Sequence, residues 1–305
     1  MKKEPKIFVI IVTYKGHRWY ERCFASLRNS EIPVQTVVID NASNDGTVEY
    51  IREHFPEIHL MESKENLGFG RANNLGMRYA LDNGCDYVFL LNQDAWIEPN
   101  SIQELVRIHQ EYPKYGVLSP MHVAADKRSL YIEIEDGRTD HANSLLSDAY
   151  FQTLQDVYPF KYVNAAAWLM TRDTLLTVGG FDPIFFLYGE DDNYLQRMEY
   201  HGIKLGLVPN VQIIHDHQES KTSHNARSVA YRVEQSRLVE YTNVLNSMSV
   251  GKQYIYLHCK LLCCLLKLDF KGAKQFKREI DFLKEHGEQI GISRHTNIKK
   301  QPSWL

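Results

Sequence analysis

Three polar residues, Asn92, Gln93 and Asp94, follow directly on an apolar run in "YVFLLNQDAWIEPNS". A single carboxylate at the end of a buried strand is adequate for a hard divalent cation already carried by a diphosphate, because phosphate oxygens and waters fill the remaining positions. A surface turn would account for the same residue types. Later in the chain, "VQIIHDHQES" sets His215 and His217 two apart, on one face if the strand continues. An imidazole there could join Asp94 as a metal ligand and would favour manganese over magnesium. A lone histidine at a strand end otherwise serves as a hydrogen-bonded structural residue.

A second group is acidic. "FFLYGEDDNYLQR", residues 185–197, places Glu190, Asp191 and Asp192 at the start of a helical pattern. Successive helical residues point about 100° apart, so the three acids cannot share one task. One of them facing a cleft could be a general base, its pKa raised by like charge and partial burial. Acids in a first helical turn also complement the helix dipole with no further role.

A third group suits an anionic ligand. Asp40 and Asn41 in "VVIDNASNDGT" offer a carboxylate and an amide for reading a nucleotide base; an Asx turn using Asn41, Ser43 and Asn44 is the structural alternative. In "ENLGFGRANN", Asn66, Gly68 and Gly70 permit close backbone approach, and Arg71 opens a helix. A helix N-terminus beside a guanidinium suits a diphosphate. The glycine spacing is not a dinucleotide fingerprint and follows no convincing first strand, which disfavours a Rossmann dehydrogenase.

The elements that must position these groups are legible in the first hundred residues. "KIFVIIVT", "QTVVID", "IHLMES" and "YVFLLNQD" read as strands, the continuous runs being those expected of parallel strands covered on both faces. "WYERCFASLRNS", with Tyr20, Phe24 and Leu27 at helical spacing, "TVEYIREHF", and the segment after "GFGR" read as helices. Alternation of this kind means βαβ units and a parallel sheet. Several strands end in polar residues, at Thr13 and Tyr14, at Asp40 and Asn41, and at Asn92 to Asp94. Ligands collect at the carboxyl ends of strands in open α/β sheets. "SIQELVRIHQEY" is a helix capped by Asn100 or Ser101, "YGVLSPMHVAA" is a strand, and Gly202 closes the helix begun by the three acids. Residues 126–160 show little periodicity and read as a loop over a site. Beyond residue 223 the chain is helical and basic.

Composition bounds the rest. With 44% hydrophobic and 24% charged residues, the 305-residue chain has an ordinary globular balance, and a net charge of −3 points away from nucleic acid. Five scattered cysteines form no secreted disulfide framework and fit a reducing cytoplasm. The basic, apolar N-terminus is too short and lacks the cleavage site of a signal peptide. No stretch reaches the roughly 18 apolar residues of a membrane span.

Taken in order, "VTYKG", "VVIDNASNDGT", "ENLGFGRANN", "FLLNQD", "GGFDPIFFLYGEDDNYLQR" and a late histidine and serine resemble the family 2 glycosyltransferases of GT-A fold, in particular their rhamnosyltransferase-like branch. The likeness runs from residue 7 to about 243. It implies an α/β catalytic unit over residues 1–223, with a mostly parallel nucleotide-sugar-binding half (1–100) flanked by helices and an acceptor half (101–223), followed by a helical region (224–305). It assigns Thr13, Tyr14, Asp40, Asn41, Asn66, Gly68 and Arg71 to the nucleotide. Asp94 falls at the last position of the Asp-x-Asp metal motif, whose first Asp is here Asn92, a variant common in this branch. Asp191, from the Glu190–Asp191 pair, becomes the general base, with Asp192 its competitor because Asn193 stands where the family often has another Asp. His215 and Ser220 fall near the diphosphate. The implied cofactor is manganese or magnesium. The implied partners are a nucleoside-diphosphate sugar, dTDP-rhamnose or a UDP-sugar, and a hydroxyl of a glycan or lipid-linked acceptor in surface polysaccharide synthesis. A nucleotidyltransferase would also use carboxylates and a metal, but "TYKGHRW" is a poor triphosphate signature. A catalytically inactive sugar-nucleotide-binding scaffold would not need Asp94, Asp191 and His215 together.

One stretch lies outside that pattern. "YIYLHCKLLCCLLKLDFKGAKQFKREI", residues 254–280, has a leucine- and cysteine-rich centre edged with lysines. Such a helix suits the anionic inner face of a membrane; packing on the catalytic unit or on a dimer partner is the competing expectation. His258, Cys259 and Cys263 have zinc-like chemistry, yet a cluster among leucines is far more often core.

Overall fold

Strands with no apolar–polar alternation need cover on both faces, and the helices supply it. The computed structural model describes residues 4–130, 142–216 and 226–305. In chain order the elements are β1 (Ile7–Thr13), α1 (His17–Arg28), β2 (Gln35–Asp40), α2 (Thr47–His54), β3 (His59–Glu62), α3 (Gly68–Asp82) and β4 (Tyr87–Leu91). Then come β5 (Ala95–Ile97), α4 (Ser101–Glu111), β6 (Tyr115–Ala124), α5 (Ala142–Tyr150), β7 (Tyr158–Phe160), β8 (Ala167–Thr171), α6 (Arg172–Val178), α7 (Glu190–Tyr200) and β9 (Lys204–His215). Helices α8 (Ala226–Thr242), α9 (Val250–Leu266) and α10 (Phe270–Asn297) complete the described chain.

The strands form one sheet in the order β3-β2-β1-β4-β8-β6-β9-β5, with β7 alongside β9. The first four are parallel, so Thr13 lies opposite Asp40, and Asp40 opposite Glu62, at a common carboxyl edge. Side-chain alternation divides this half cleanly. Phe8, Ile10, Val37, Ile39, Val88 and Leu90 pack with Ala72, Met77 and Ala80 of α3. Ile7, Val9, Ile11, Val38, Phe89 and Leu91 face the opposite way, onto α1, α2 and α4. The parallel character stops at β4, where β8 enters antiparallel with Leu91 opposite Ala167. Beyond it the sheet is mixed: β6 pairs with β9 in parallel, while β5 and β7 run antiparallel to β9.

The C-terminal helices share a separate apolar cluster in which Leu238, Tyr241, Leu257, Ile280 and Leu283 meet Phe185 from the loop before α7. Buried Asp182 in that loop accepts hydrogen bonds from Ser293 Oγ at 2.6 Å and Asn297 Nδ2 at 2.7 Å, both on α10. The helical region thus braces the loop that carries the three acids.

Three expectations need correction. Residues 126–160 are not a continuous loop: α5 and β7 lie within them, and 131–141 fall outside the described residues. Neither Asn100 nor Ser101 caps α4 through its side chain; Ser101 Oγ accepts from the Glu98 N–H and donates to Gln212 O. The strand "YVFLLNQD" ends at Leu91, and Asn92 to Asp94 turn the chain into β5. The expected boundary near 223, with His217 and Ser220, also lies outside the described residues. Among the described residues no helix is long and apolar enough to cross a membrane. No group of three His, Cys, Asp or Glu there could hold a metal, and all five cysteines are free.

Candidate active site

At the carboxyl edge of the parallel half, the ends of β1 and β2 are knitted together. Buried Thr13 donates from its hydroxyl to Asp40 Oδ1 at 3.2 Å, and the Ser43 N–H donates to Asp40 Oδ2 at 3.0 Å. The local turn is thus closed by Asp40 and not by Asn41 or Asn44, and each Asp40 oxygen keeps lone-pair capacity for a ligand. Exposed Tyr14 is held by its backbone, its N–H donating to Gln93 Oε1 and its carbonyl accepting from Gln93 Nε2. Asn41 is more fully engaged. Its amide donates to Asn66 Oδ1 at 2.9 Å and to Gly68 O at 3.1 Å, and its Oδ1 accepts from the Leu67 N–H at 2.7 Å. One lone pair of that oxygen is left, so the main task of Asn41 is to hold the start of α3 against β2.

The glycines of "GFGR" do permit close approach, and what approaches is the protein itself. Gly68 has φ +79°, and a Cβ there would lie 2.0 Å from Phe186 O. The same carbonyl accepts from the Phe69 N–H at 3.1 Å. A Cβ on Gly70 would lie 2.8 Å from Phe181 Cβ and 3.7 Å from Glu190 Cβ. Arg71 Nε and Nη2 donate to Pro183 O at 3.2 and 2.8 Å while the side chain stays exposed. The N-terminus of α3 and the loop before α7 thus form one unit.

Asp94 and His215 meet across the β5–β9 pairing, which sets Ala95 opposite His215. His215 Nε2 lies 3.3 Å from Asp94 Oδ1, with both side chains largely buried. An imidazole nitrogen and a carboxylate oxygen so placed suit adjacent positions on one divalent ion, whose ligands sit about 2–2.3 Å from it. His122, fully buried, packs edge-on against His215 with ring centroids 6.0 Å apart, and burial pushes its pKa down to about 3. A histidine inside the apolar run "SPMHVAA" was a signal for it that periodicity alone passes over.

The acids open α7 as expected, but they differ. Glu190 is 6% exposed, its Oε2 has no hydrogen-bond partner, and burial with the adjacent Asp191 charge pushes its pKa up to about 8. Asp191 is partly accessible; desolvation raises its pKa, opposed by bonds from the Asp192 N–H at 2.9 Å and the Tyr162 hydroxyl at 3.1 Å. Asp192 is half-buried on the next helical position. Asn193 points into the interior and donates to Thr242 Oγ1 on α8 at 3.2 Å. Tyr162 is absent from the sequence-derived set; its only signal is a tyrosine in the polar approach to the apolar "AAAWLM".

Backbone contacts link the acid cluster to the segment that carries the Asp94–His215 pair. The Asn92 N–H donates to Ala166 O at 2.9 Å, and the neighbouring Ala165 backbone hydrogen-bonds Asp191. Half-buried Asn92 therefore stands between Asp94 and Asp191 in this chain of contacts.

A parallel half joined to a mixed second half, with helices on both faces, is the GT-A architecture. Solved structures share the architecture. S. aureus TarS with UDP-GlcNAc matches at a TM-score of 0.59 and 14% identity, over 96% of this chain and 90% of that one. The mannosyltransferase PcManGT from Pyrobaculum calidifontis, in complex with GDP-Man and Mn2+, matches at 0.57 and 17%, over 97% and 86%. Residues 8–167 match the model of glycosyl transferase family 2, and the chain belongs to that family. It is 29% identical over 245 residues to the N-acetylglucosaminyl-diphospho-decaprenol L-rhamnosyltransferase of Mycobacterium tuberculosis, covering 72% of this chain and 78% of the relative. The dTDP-rhamnosyl transferase RfbF of Shigella flexneri is 21% identical over 210 residues, 68% of either chain.

Proposed function

We propose that this glycosyltransferase moves a sugar, with inversion at the anomeric carbon, from a nucleoside-diphosphate sugar to a hydroxyl of a lipid-linked or glycan acceptor in surface polysaccharide synthesis. The observation that carries the proposal is the linkage of Asp191 to the Asp94–His215 segment through Ala165, Ala166 and Asn92. The rhamnosyl names of the relatives favour dTDP-rhamnose, with UDP-sugars next, and the diphospho-decaprenol in one name favours a lipid-linked acceptor.

Asp191 takes the proton of the acceptor hydroxyl. The hydroxyl oxygen forms a bond to the anomeric carbon from the face opposite the leaving group, and the old carbon–oxygen bond breaks with its electron pair passing to the diphosphate. Burial raises the pKa of Asp191 above the ordinary carboxylate range, which strengthens it as a base. Asp94 and His215 would hold the manganese or magnesium ion that offsets charge on the departing diphosphate. Thr13, Tyr14, Asp40, Asn41 and Asn66 border the nucleotide at the strand ends, and Arg71 and the start of α3 line its diphosphate side. Glu190, kept neutral beside Asp191, limits repulsion at the base, and Asp192 is the alternative base. The assignment divides the chain at about residue 223 into a catalytic unit and a helical region.

Titration calorimetry with dTDP-rhamnose, UDP-hexoses and GDP-mannose, with and without manganese, tests this. One donor should bind with manganese dependence. Folded protein that binds none of them would overturn the proposal.

A further inference from the structure

We propose that the outer face of α9, with its turn into α10, docks on an anionic membrane surface. The inner face of α9 is accounted for: Gln253 and Leu257 are buried, and Leu257 joins the cluster with Leu238 and Ile280. The outer face is equally apolar and has no cover among the described residues. Ile255, Tyr256, Cys259, Leu262, Cys263 and Leu266 follow the spacing of one helical stripe, and all six are exposed. Ile255 is 65% exposed, Leu262 58% and Leu266 77%. At the corner beyond, Leu268 (φ +56°) and Phe270 are 73% and 69% exposed. Contiguous apolar surface of this kind marks an interaction site.

Charge selects the occupant. Residues 250–278 contain seven basic side chains and one acid, Asp269. That acid is occupied as the N-cap of α10, accepting from the Gly272 N–H at 2.9 Å. Lys252 and Lys260 on α9, Lys267 just after it, and Lys271 and Lys274 on α10 are exposed around the stripe, and Lys260 lies over the Tyr256 ring. A second copy joined through this face by a two-fold axis would bring lysines against lysines. Anionic headgroups complement those lysines while the boundary region below takes the apolar side chains. The inference goes beyond the proposed reaction and does not depend on it. Because Asp182 ties α10 to the loop before Asp191, a docked α9–α10 corner would also fix the catalytic loop relative to the bilayer.

The test is co-sedimentation of the full chain with phosphatidylglycerol–phosphatidylcholine vesicles and with pure phosphatidylcholine vesicles. The wild type should favour the anionic vesicles by about tenfold or more and be released by salt. Leu266→Glu combined with Phe270→Glu should lower partition by about tenfold or more, and Lys260→Gln with Lys267→Gln should lower it on anionic vesicles only. Circular dichroism and donor calorimetry, which report folding and the sugar-nucleotide site separately, should be unchanged. No partition of folded wild type would overturn the inference, as would equal partition of the double glutamate variant. So would a wild-type dimer in sedimentation velocity that the double variant renders monomeric. If that variant misfolds, Phe270→Trp replaces it: its emission should shift to the blue on anionic vesicles beyond any wild-type change, and no added shift would overturn the docking.

Discussion

The Tyr162 hydroxyl donates to Asp191 Oδ2 at 3.1 Å, across 29 residues of sequence. This bond favours the ionised carboxylate and works against the desolvation that raises its pKa. Tyr162→Phe removes it and leaves the burial. The pKa of Asp191 should then rise, and the acid limb of the kcat/KM profile should move to higher pH by about one unit, as expected for a hydrogen bond to a charged group. A limb that stays in place would separate Tyr162 from the base.

Asp191→Asn keeps the shape of the side chain and removes the proton acceptor. Transfer should fall by about 10²–10⁴-fold, while donor affinity changes by less than about twofold if the base touches only the acceptor hydroxyl. The same pair of measurements on Asp192→Asn ranks the two acids. Wild-type turnover in Asp191→Asn would move the role to Asp192.

The 3.3 Å approach of His215 Nε2 to Asp94 Oδ1 is what the proposed shared metal site requires. Asp94→Asn and His215→Gln should each weaken manganese-dependent donor binding by on the order of 10–100-fold, with little further loss in the double variant, because neither residue alone completes the set. Calorimetry with and without manganese measures this. Additive losses in a metal-independent binding reaction would rule out a shared ion.

Glu190 links the site to stability. Its carboxyl titrates at 4.5 when unperturbed and at about 8 in the fold. Between those values the folded state binds more protons, so the contribution is complete below about pH 4.5 and is lost as pH rises through 8. His122 runs the other way: unperturbed at 6.5 and held to about 3 by burial, its contribution is present above 6.5 and lost as pH falls through 3. Glu190→Gln cancels only the first effect. The variant's Tm should gain on the wild type as pH is raised from about 5 to about 8, and a constant difference would show that Glu190 ionises normally.

Gly68 combines a left-handed backbone with the Phe186 carbonyl in the space of a Cβ. Gly68→Ala should cost at least about 2 kcal/mol in urea unfolding and should weaken donor binding, since α3 and the loop before α7 move together. Unchanged stability would mean that the contact with Phe186 is dispensable.

The parallel half was legible because its information is local. Unbroken β-branched and aromatic runs such as "KIFVIIVT" are those expected of strands covered on both faces, and polar residues at 13, 40 and 92–94 mark one edge once the strands are parallel. The helical opening at Glu190 and the closure at Gly202 follow from equally local chemistry. The second half was less legible. Residues 126–160 hide a short helix and a three-residue strand whose pairing partner, β9, comes much later in the chain.

Residue types and their order thus determined the strand ends, the acidic helix start and the basic, leucine-rich C-terminal stretch. Tertiary structure alone decided which of these meet. It placed His215 on Asp94 through an antiparallel pairing, Tyr162 on Asp191 through the connection into β8, and the Phe186 carbonyl in the space left by Gly68. It also buried one face of α9 on α10 and left the other bare. Periodicity encodes which way a side chain faces along its own element, whereas the partner across a sheet or between helices is set by register and packing over long separations.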